Sequence, residues 1–492
     1  MRVKRLVLMS AVSVGTLLLP VPALPRPAAA PVELTVMSFN IWYGATQTQG
    51  MDQVVEAIRK AGADVVGMQE PYARLREVAS RLGFHASPRL HVISAYPILE
   101  PAGADGAWGY VLVAPGQVVA ISNTHLSCCP YTPFRIVHHG FTRAEAMRQE
   151  RNTRLRQVTQ HLTALEPLLA SGVPTFFAGD FNAPSWRDWT PAVVKARGLP
   201  YPMRWPVSRA IEAAGFRDSY REIHPDPVAD PGFTWTPGYP APYVKPWDVF
   251  DRIDFVWATA SATPEDSRVI GESTANADLI VRPWPSDHRA VASTFSVTPT
   301  TPPVLVAAEG ERARLGLPLR VRFHAPGDVG AHVALVPAGS TVPIDDETTG
   351  GAVDGTVAFD TTGLPQGTYD VVLLDGSGTR LSRDTVVLVA KDQRPVLSLV
   401  DNTLEDEEEL QVSWMFAPGN QFDWLAVYRA GVSAKEGPYQ AWRYTGGLVQ
   451  GATTIGPGSH GSWPLRAGRY VVRICLDDSY RCRSPAPFRV IG

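Results

Sequence analysis

The strongest constraint on the fold is a change of sequence pattern in the middle of the chain. Strand-like and helix-like segments alternate over residues 34–297, and no helical periodicity remains beyond the linker-like run TPTTPP at 298–303. Such alternation is typical of an α/β domain, and adjacent strand pairs within it predict a mixed sheet. The chain has 492 residues, too many for one core, so two or three domains are expected.

The C-terminal part of the sequence contains an internal repeat. PLRVRFHAPGD at 318–328 is similar to ELQVSWMFAPGN at 409–420, and HVALVPAG is similar to WLAVYRAG. Two copies with alternating strands and turn signals predict two all-β, immunoglobulin-like sandwich domains. The predicted domains are an α/β domain at 31–297, a linker at 298–303, β-sandwich module 1 at 304–392 and β-sandwich module 2 at 393–492.

The first thirty residues have the three parts of a secretory signal peptide. Basic residues at positions 2, 4 and 5 precede an apolar stretch, Leu6–Leu19, that is too short to span a bilayer comfortably. Small residues at 23 and at 28–30 then offer two cleavage sites. We expect removal of residues 1–30 and secretion of the rest to the extracellular space; an uncleaved N-terminal anchor is the alternative.

Export makes disulfides possible for the four cysteines of the chain. Cys475 and Cys482 flank LDDSYR, a segment that predicts a hairpin turn, so a bridge across two strands is expected there. Cys128 and Cys129 are adjacent in sequence. They either form a vicinal disulfide or remain thiols beside a functional loop, and the sequence does not decide between these states.

The net charge places a limit on function. A protein that binds nucleic acid tightly and without sequence preference carries a strong positive charge, whereas this chain has a net charge of −3 and a pI near 6.4. A nuclease with a locally basic groove is still compatible with this composition. The hydrophobic content of 45% and the charged content of 19% are those of a soluble globular protein.

Polar side chains occur repeatedly at the ends of predicted strands in the first domain. They lie in MSFN, VVGMQE, AISNTH, AGDFN, RIDFVW and WPSDHRAV, and the residues are Asn40, Glu70, His125, Asp180, Asn182, Asp254, Asp287 and His288. Each one alone has a structural explanation as a turn residue, a cap or a buried partner. Their number in one domain favours convergence at one edge of a sheet, where α/β proteins build their sites.

Three of these residues carry hard oxygen ligands. The carboxylates of Glu70 and Asp287 and the amide of Asn40 suit Mg²⁺ or Mn²⁺, cations that keep bound water and contact phosphate oxygens. The sequence has no cysteine cluster and no HxxxH spacing that would indicate a structural zinc site. A magnesium or manganese site is therefore predicted.

The other five residues suit the handling of a water molecule and a phosphate group. Asp254 is the candidate to orient His288 and tune its basicity. Asp180 can accept a proton from an attacking water, while the amide of Asn182 positions an oxygen. His125 can donate to a phosphate oxygen. Together these groups predict a metal-assisted attack of water on phosphorus.

In this order, the strings SFNIW, GMQE, NTHL, GDFNAP, RIDFVW and SDHRAV resemble the endonuclease/exonuclease/phosphatase superfamily, the deoxyribonuclease I-like fold. The resemblance covers about residues 34–297. It implies a four-layered α/β sandwich, with two central sheets flanked by helices, and a divalent-cation-dependent phosphoesterase. The metal ligands that it implies are Asn40, Glu70 and Asp287. The general base is either Asp180 or His288, and the sequence leaves that choice open.

Several functions are compatible with such a domain. A nuclease and a sphingomyelinase-like phospholipase both cleave phosphodiesters, in nucleic acid or in a phospholipid head group, and a phosphomonoesterase acting on a small phosphate is an alternative. A non-catalytic binding protein that uses the C-terminal modules is a further alternative, which the complete set of site residues disfavours. The modules could contact carbohydrate or a surface. No stable protein partner is indicated, and a monomer is expected.

Overall fold

The computed structural model describes residues 30–405, 407–435 and 437–492. The predicted signal peptide lies, except for its last residue, outside this described part. None of the helices in the described ranges combines the length and the apolar character that crossing a membrane requires. The fold class agrees with the prediction, because an α/β part is followed by a part built of strands alone.

The first domain alternates strands and helices as the sequence indicates. Its strands are β1 (Val32–Asn40), β2 (Val65–Gln69), β3 (His85–Ser87), β4 (Val92–Ser94), β5 (Ile98–Leu99), β6 (Gly109–Ala114), β7 (Gln117–His125), β8 (Thr175–Asp180), β9 (Phe216–Asp218), β10 (Asp254–Thr259), β11 (Ala262–Gly271), β12 (Leu279–Ile280) and β13 (Ala290–Val297). Its helices are α1 (Trp42–Ala45), α2 (Met51–Ala61), α3 (Leu75–Leu82), α4 (Thr132–His139), α5 (Arg143–Asn152), α6 (Arg154–Ala170), α7 (Pro191–Arg197), α8 (Pro206–Ala213) and α9 (Ser219–Ile223).

These strands form two mixed sheets that pack face to face. One has the order β12-β11-β13-β1-β2-β4-β3 and the other has the order β5-β6-β7-β8-β10-β9. The pairs β1–β2 and β7–β8 are parallel, whereas β1–β13 and β8–β10 are antiparallel. Buried side chains such as Val36 of β1 and Phe176 of β8 share the core between the sheets.

Helices cover the outer face of each sheet and complete four layers. Val54 of α2 shares a core with Met37 of β1, and Leu165 of α6 shares a core with Phe177 of β8. Successive side chains of a strand point to opposite faces, so Met37 faces the helices while its neighbour Val36 faces the other sheet. The four-layered arrangement that the family resemblance implies is therefore present.

Two local predictions in this domain were wrong in detail. The capping-box spacing of Thr142 and Glu145, with an apolar stripe that continues to Leu165, predicts one long helix. The capping box is formed, but the helix is divided into two, α5 and α6. The break falls at Thr153, whose Oγ1 donates to the carbonyl of Gln149 at 2.7 Å and so competes with the backbone hydrogen bonds. The segment SCCPYTPFRIVHHGF after His125 is rich in cysteine, proline, aromatic residues and histidine, a composition that predicts one long loop, but it contains helix α4.

The part of the chain after the first domain is all β. The strands of module 1 are β14 (Leu305–Ala308), β15 (Arg312–Arg314), β16 (Leu319–His324), β17 (His332–Pro337), β18 (Asp345–Thr348), β19 (Asp354–Phe359), β20 (Gly367–Leu374) and β21 (Arg380–Val389). The strands of module 2 are β22 (Val396–Leu399), β23 (Thr403–Leu404), β24 (Leu410–Met415), β25 (Trp424–Arg429), β26 (Ala441–Tyr444), β27 (Gly451–Ile455), β28 (His460–Gly461), β29 (Gly468–Cys475) and β30 (Cys482–Val490).

Each module is built from two sheets around one core. Module 1 has the sheets β14-β16-β19 and β15-β21-β20-β17-β18, and module 2 has the sheets β22-β24-β27 and β23-β30-β29-β25-β26-β28. A disulfide between Cys475 and Cys482 joins β29 to β30, at the hairpin where the sequence predicts it. Cys128 and Cys129 are free thiols.

Candidate active site

The register of the sheets brings the candidate side chains to one edge of the paired sheets. Parallel pairing places Asn40, the last residue of β1, beside the end of β2, and Glu70 follows directly. In the other sheet, Asp180 pairs with His125 on one side and with Asp254 on the other. Asn40 and Asp180 then meet across the gap between the two sheets.

Asp180 lies at the centre of this cluster and is fully buried. Its Oδ2 accepts a hydrogen bond from Nδ2 of Asn40 at 3.1 Å, and lies 3.5 Å from Nε2 of His125 and 3.6 Å from Nε2 of His288. Its Oδ1 accepts the N–H of Asn182 at 2.9 Å. One carboxylate therefore joins residues from four separate sequence motifs.

The turn after β8 has two special backbone requirements. A Cβ atom at Gly179 would lie 2.5 Å from the carbonyl oxygen of Thr124 on β7, so glycine is needed for the two strands to approach this closely. Asn182 has a φ of 49°, in the left-handed region that asparagine tolerates better than most residues. Its Nδ2 donates to the carbonyl of Leu126 at 3.0 Å. The GDFN motif thus combines turn chemistry with the placement of the central carboxylate.

Glu70 extends from a strained loop beside Asn40. Its Oε2 accepts the N–H of Tyr43 at 2.9 Å, and its Oε1 lies 3.4 Å from Nδ2 of Asn40. Glu70, Tyr72 and Ala73 all have a φ near +50°, between 49° and 58°. Such conformations cost about 1 kcal/mol or more per residue and are concentrated at functional sites, where the surrounding structure holds them.

The SDH motif is fixed against the end of β1. Oγ of Ser286 donates to the carbonyl of Asn40 at 2.7 Å and accepts the N–H of His288 at 3.0 Å. The carbonyl of Asp287 accepts Oγ1 of Thr236 at 2.8 Å. Ser286 is a positioning residue that the strand-end pattern does not single out, although it lies directly before the candidate residues Asp287 and His288.

His288 and Asp254 form a buried pair. Nδ1 of His288 lies 2.9 Å from Oδ2 of Asp254, and both side chains are almost fully buried. Burial disfavours the imidazolium, but the carboxylates of Asp254 and Asp180 outweigh it and raise the pKa of His288 well above its ordinary value. Burial likewise raises the pKa of Asp254, against the opposing charge of His288. This pairing leaves Nε2 of His288 directed at Asp180.

The oxygen donors around Asp287 fit a hard divalent cation. Asp287 is only 8% exposed, and within the described part of the chain its Oδ1 has no hydrogen-bond partner. Burial raises the pKa of Asp287 to about 7; the charge of His288 opposes this rise, and the Glu70 carboxylate adds to it. A buried carboxylate with a free oxygen, next to a second carboxylate and the Asn40 amide, is a donor set that Mg²⁺ or Mn²⁺ would satisfy.

A second group of potential ligands lies deeper. In the described ranges, the one group of three acidic or imidazole side chains whose ligand atoms all lie within 4.8 Å of one another is Asp180, Asp254 and His288. Oδ2 of Asp254 pairs with His288, whereas Oδ1 of Asp254, like Oδ1 of Asp287, has no hydrogen-bond partner within the described part of the chain. Asp287 differs from Asp254 in lining the cavity beside Glu70, the other carboxylate that the sequence predicts as a metal ligand.

A cavity of about 350 Å³ opens above these groups. Its floor is formed by Glu70, His125, Asp180, Asn182, Asp287 and His288. Its walls are mainly aromatic and come from Trp42, Tyr43, Tyr131, Phe134, Trp235, Tyr239 and Trp247. Cys128 and Cys129 also line it, with their Sγ atoms 2.9 Å apart. The arrangement suits a phosphate group on the polar floor with an organic substituent between the aromatic walls.

Comparison with known proteins agrees with this geometry. Residues 37–288, just over half of the chain, match the Endonuclease/Exonuclease/phosphatase family. The chain belongs to this family. Members of the endonuclease/exonuclease/phosphatase family generally hydrolyse phosphoester bonds and typically use a divalent metal.

Three individual proteins that resemble this chain share less than 30% of their sequence with it. An uncharacterized protein of Caenorhabditis elegans, F14F9.5, is 27% identical over 294 residues, which are 54% of this chain and 91% of that protein. The crystal structure of an endonuclease/exonuclease/phosphatase from Beutenbergia cavernae DSM 12333 is 19% identical, with a TM-score of 0.35, and the match covers 72% of this chain and 100% of that chain. The FN1–FN3 domains of chicken CNTN1 are 13% identical, with a TM-score of 0.14, and the match covers 50% and 82% of the two chains. These scores are too low to carry an argument about function.

Proposed function

We propose that this protein is a secreted, divalent-cation-dependent phosphodiesterase that cleaves its substrate by attack of an activated water on phosphorus. The position of Asp180 carries the proposal, because its Oδ2 lies 3.1–3.6 Å from the side chains of Asn40, His125 and His288. A buried carboxylate between an amide and two imidazoles is suited to hold a water and a phosphate group against each other.

The side chains divide between the phosphate and the water. His125 and His288 can donate from Nε2 to phosphate oxygens and stabilise the charge that develops there. Asp254 holds Nδ1 of His288 and so fixes the direction of Nε2. Asp180 orients the water, and the proton of the water passes to Asp180 or to Nε2 of His288, which lie 3.6 Å apart. The pH–rate profiles of the wild type and of Asp254→Asn distinguish these two bases, because a limb of the profile that moves with the pKa of His288 assigns the proton to His288.

Glu70, Asp287 and Asn40 would hold the cation, because they bring two carboxylates and an amide together and Oδ1 of Asp287 has no hydrogen-bond partner within the described residues. A bound Mg²⁺ or Mn²⁺ supplies Lewis-acid polarisation of a phosphoryl oxygen.

A second cavity supports a phosphodiester over a phosphomonoester. It measures about 730 Å³ and adjoins the first, since Tyr43 lines both. The other side chains that line it include Tyr72, Arg74, Lys435, Tyr480 and Arg481. A monoester has one organic group and needs only the phosphate cavity. The second ester group of a diester has a place in this adjoining cavity, between tyrosines and cationic side chains.

Exposed apolar side chains favour a phospholipid as the substrate over a nucleic acid. Tyr243 is 71% exposed and Trp247 is 53% exposed, and Trp247 lies at the mouth of the phosphate cavity. Exposed aromatic residues grouped in this way are typical of surfaces that contact a membrane or a partner. The net charge of −3 provides no general attraction for a polynucleotide. A sphingomyelinase-like activity is therefore our first substrate class, and a nuclease is the second.

A substrate panel tests the proposal. Purified protein is assayed with sphingomyelin vesicles, phosphatidylinositol phosphate vesicles, plasmid DNA, RNA and a chromogenic diester, each with Mg²⁺, with Mn²⁺ and with EDTA. We expect hydrolysis of at least one diester that EDTA abolishes and either cation restores. Asp180→Asn should abolish it while the circular dichroism spectrum stays unchanged. Hydrolysis that persists in EDTA or in this variant contradicts the proposal.

A further inference from the structure

Module 2 reaches the loop that carries Glu70. The turn between β29 and β30, residues 476–481, is closed by the disulfide that joins Cys475 to Cys482; we call these six residues the module-2 turn. Its Arg481 donates from Nη2 to the carbonyl of Tyr72. Its Asp477 accepts the N–H of Ala73 on Oδ2. The module-2 turn therefore binds the backbone of two consecutive residues just beyond Glu70.

The Asp477 carboxylate is buried between the domains. It is 2% exposed, and its Oδ1 lies 2.7 Å from Nε2 of His91, which is 1% exposed. The carbonyl of His91 accepts the N–H of Met68 on β2 at 2.8 Å. Asp477 thus contacts the first domain on both sides of Glu70: directly at Ala73, and through His91 at the end of β2. A carboxylate removed from water in this way requires both partners.

The module-2 turn is itself fixed within module 2. The N–H of Asp477 donates to Oδ1 of Asp423 at 3.1 Å, and the N–H of Asp478 donates to the carbonyl of Phe422 at 3.0 Å. The Phe422 ring meets the His91 ring edge to face, with centroids 5.4 Å apart. Module 2 therefore holds the turn in place by hydrogen bonds, and the turn contacts the first domain at its strained loop.

The loop that carries Glu70 has a strained backbone, which contacts from outside the loop can stabilise. Glu70, Tyr72 and Ala73 hold left-handed conformations that non-glycine residues avoid unless other contacts impose them. The N–H of Ala73 and the carbonyl of Tyr72 are the backbone groups that the module-2 turn engages. Without these contacts the loop would relax toward ordinary backbone angles, and the carboxylate at its start would move with it.

We propose that module 2 completes the active site, with Asp477 and Arg481 as positioning residues that hold the Glu70 carboxylate in place for the divalent cation. This inference rests on the proposed function, which includes a divalent cation at Glu70. It gives module 2 a part in the active site, beyond contact with carbohydrate or a surface. Residues that orient metal ligands through such contacts commonly change metal affinity about ten- to hundredfold when they are altered.

The test uses the full-length protein and two readouts that do not depend on turnover. Mn²⁺ binding is measured by electron paramagnetic resonance, and hydrogen exchange is measured by mass spectrometry on the peptide that spans residues 68–76. The variants are Asp477→Asn and Arg481→Gln. The matched control is Glu311→Gln, which breaks another contact between the first domain and a module, the ion pair of Arg89 with Glu311, and leaves the hydrogen bonds of Asp477 and Arg481 in place.

We expect Asp477→Asn to weaken Mn²⁺ binding at least about tenfold and to speed exchange in the 68–76 peptide. Arg481→Gln should do both to a smaller degree, and Glu311→Gln should do neither. Wild-type Mn²⁺ affinity in Asp477→Asn, or an equal loss in Glu311→Gln, would overturn the inference. If Asp477→Asn does not fold, Arg481→Gln decides, and unchanged affinity and exchange in it overturn the inference.

Failure of the proposed function gives a different result. In that case the wild type binds Mn²⁺ but hydrolyses none of the diesters in the panel, and the effect of Asp477→Asn on Mn²⁺ binding remains.

Discussion

Replacement of Asp254 by Asn removes the negative charge from the buried pair of Asp254 and His288 but keeps its shape. The amide keeps the volume of the carboxylate and can still accept from Nδ1 of His288, so the fold should persist. At the observed 2.9 Å separation, the gross attraction between the two charges is about 6 kcal/mol at an effective dielectric constant of about 20. That energy corresponds to about a ten-thousandfold change in the ratio of protonated to neutral imidazole.

Two measurements follow from this estimate. Nitrogen-15 NMR of histidine-labelled protein should show the pKa of His288 fall sharply in Asp254→Asn, since burial then opposes the imidazolium with less compensation. The turnover of the phosphodiester should fall about a hundred- to ten-thousandfold, in the range seen when a carboxylate that orients a catalytic imidazole is neutralised. The free energy of unfolding should fall by only about 1–3 kcal/mol.

The control is Asp370→Asn, which neutralises a buried aspartate of module 1 far from the site. It should leave the titration of His288 and the turnover unchanged. If the pKa of His288 and the turnover in Asp254→Asn equal those of the wild type, Asp254 does not control the protonation of His288 and this part of the mechanism is wrong.

Three further predictions concern the strand approach at the site, acid stability and the lipid surface. Gly179→Ala should lower the free energy of unfolding by about 1–3 kcal/mol and reduce turnover, because the added Cβ would lie 2.5 Å from a backbone oxygen. Thermal melts and turnover assays measure both effects. Gly458→Ala is the control and should change neither, because a Cβ there would have no atom within 4 Å. Burial lowers the pKa of His161 to about 4, below its value in the unfolded chain, so the unfolded state binds more protons between about pH 4 and 6.5. Stability should therefore fall as the pH decreases through that window, and urea titrations should show a shallower fall for His161→Gln; an equal slope in both proteins refutes this. The double variant with Tyr243→Ala and Val244→Ala, two exposed side chains that do not line the phosphate cavity, should lose hydrolysis of vesicles while retaining hydrolysis of a soluble chromogenic diester. Equal loss on both substrates would argue against a membrane-contacting role.

The fold class and the candidate site could be predicted because their signals are local in sequence. Alternating apolar positions mark strands such as β1, and the residue that ends each strand is readable directly, as with Asn40 and His125. Parallel pairing then places strand ends at one edge of a sheet, so polar residues at these ends can be expected to meet. The expectation that Asp254 lies against His288 follows from chemistry alone, since a buried carboxylate requires a partner.

The contacts between distant segments could not be predicted in the same way. No periodicity indicates that Asp477 lies against Ala73, more than four hundred positions earlier in the chain. The break at Thr153 also depends on its surroundings, because Arg154 turns inward to bind Glu150 and the carbonyl of Ser127. These features arise from tertiary packing, which overrides local helix preference.

The aromatic walls of the cavity could be predicted from the sequence only in part. The cluster of tryptophan and tyrosine between 234 and 250 is evident in the sequence, but a loop core and a substrate wall have the same composition. The structure separates the two roles, since Trp235 and Tyr239 line the cavity while Tyr243 is exposed.

The most direct test of the central claim is the position of a bound cation. Anomalous diffraction from crystals soaked in Mn²⁺ locates that ion without reference to any assay. We expect one peak at the floor of the phosphate cavity, about 2.0–2.3 Å from carboxylate oxygens of both Glu70 and Asp287. A peak that contacts neither carboxylate, or an empty cavity floor at saturating Mn²⁺, would contradict it.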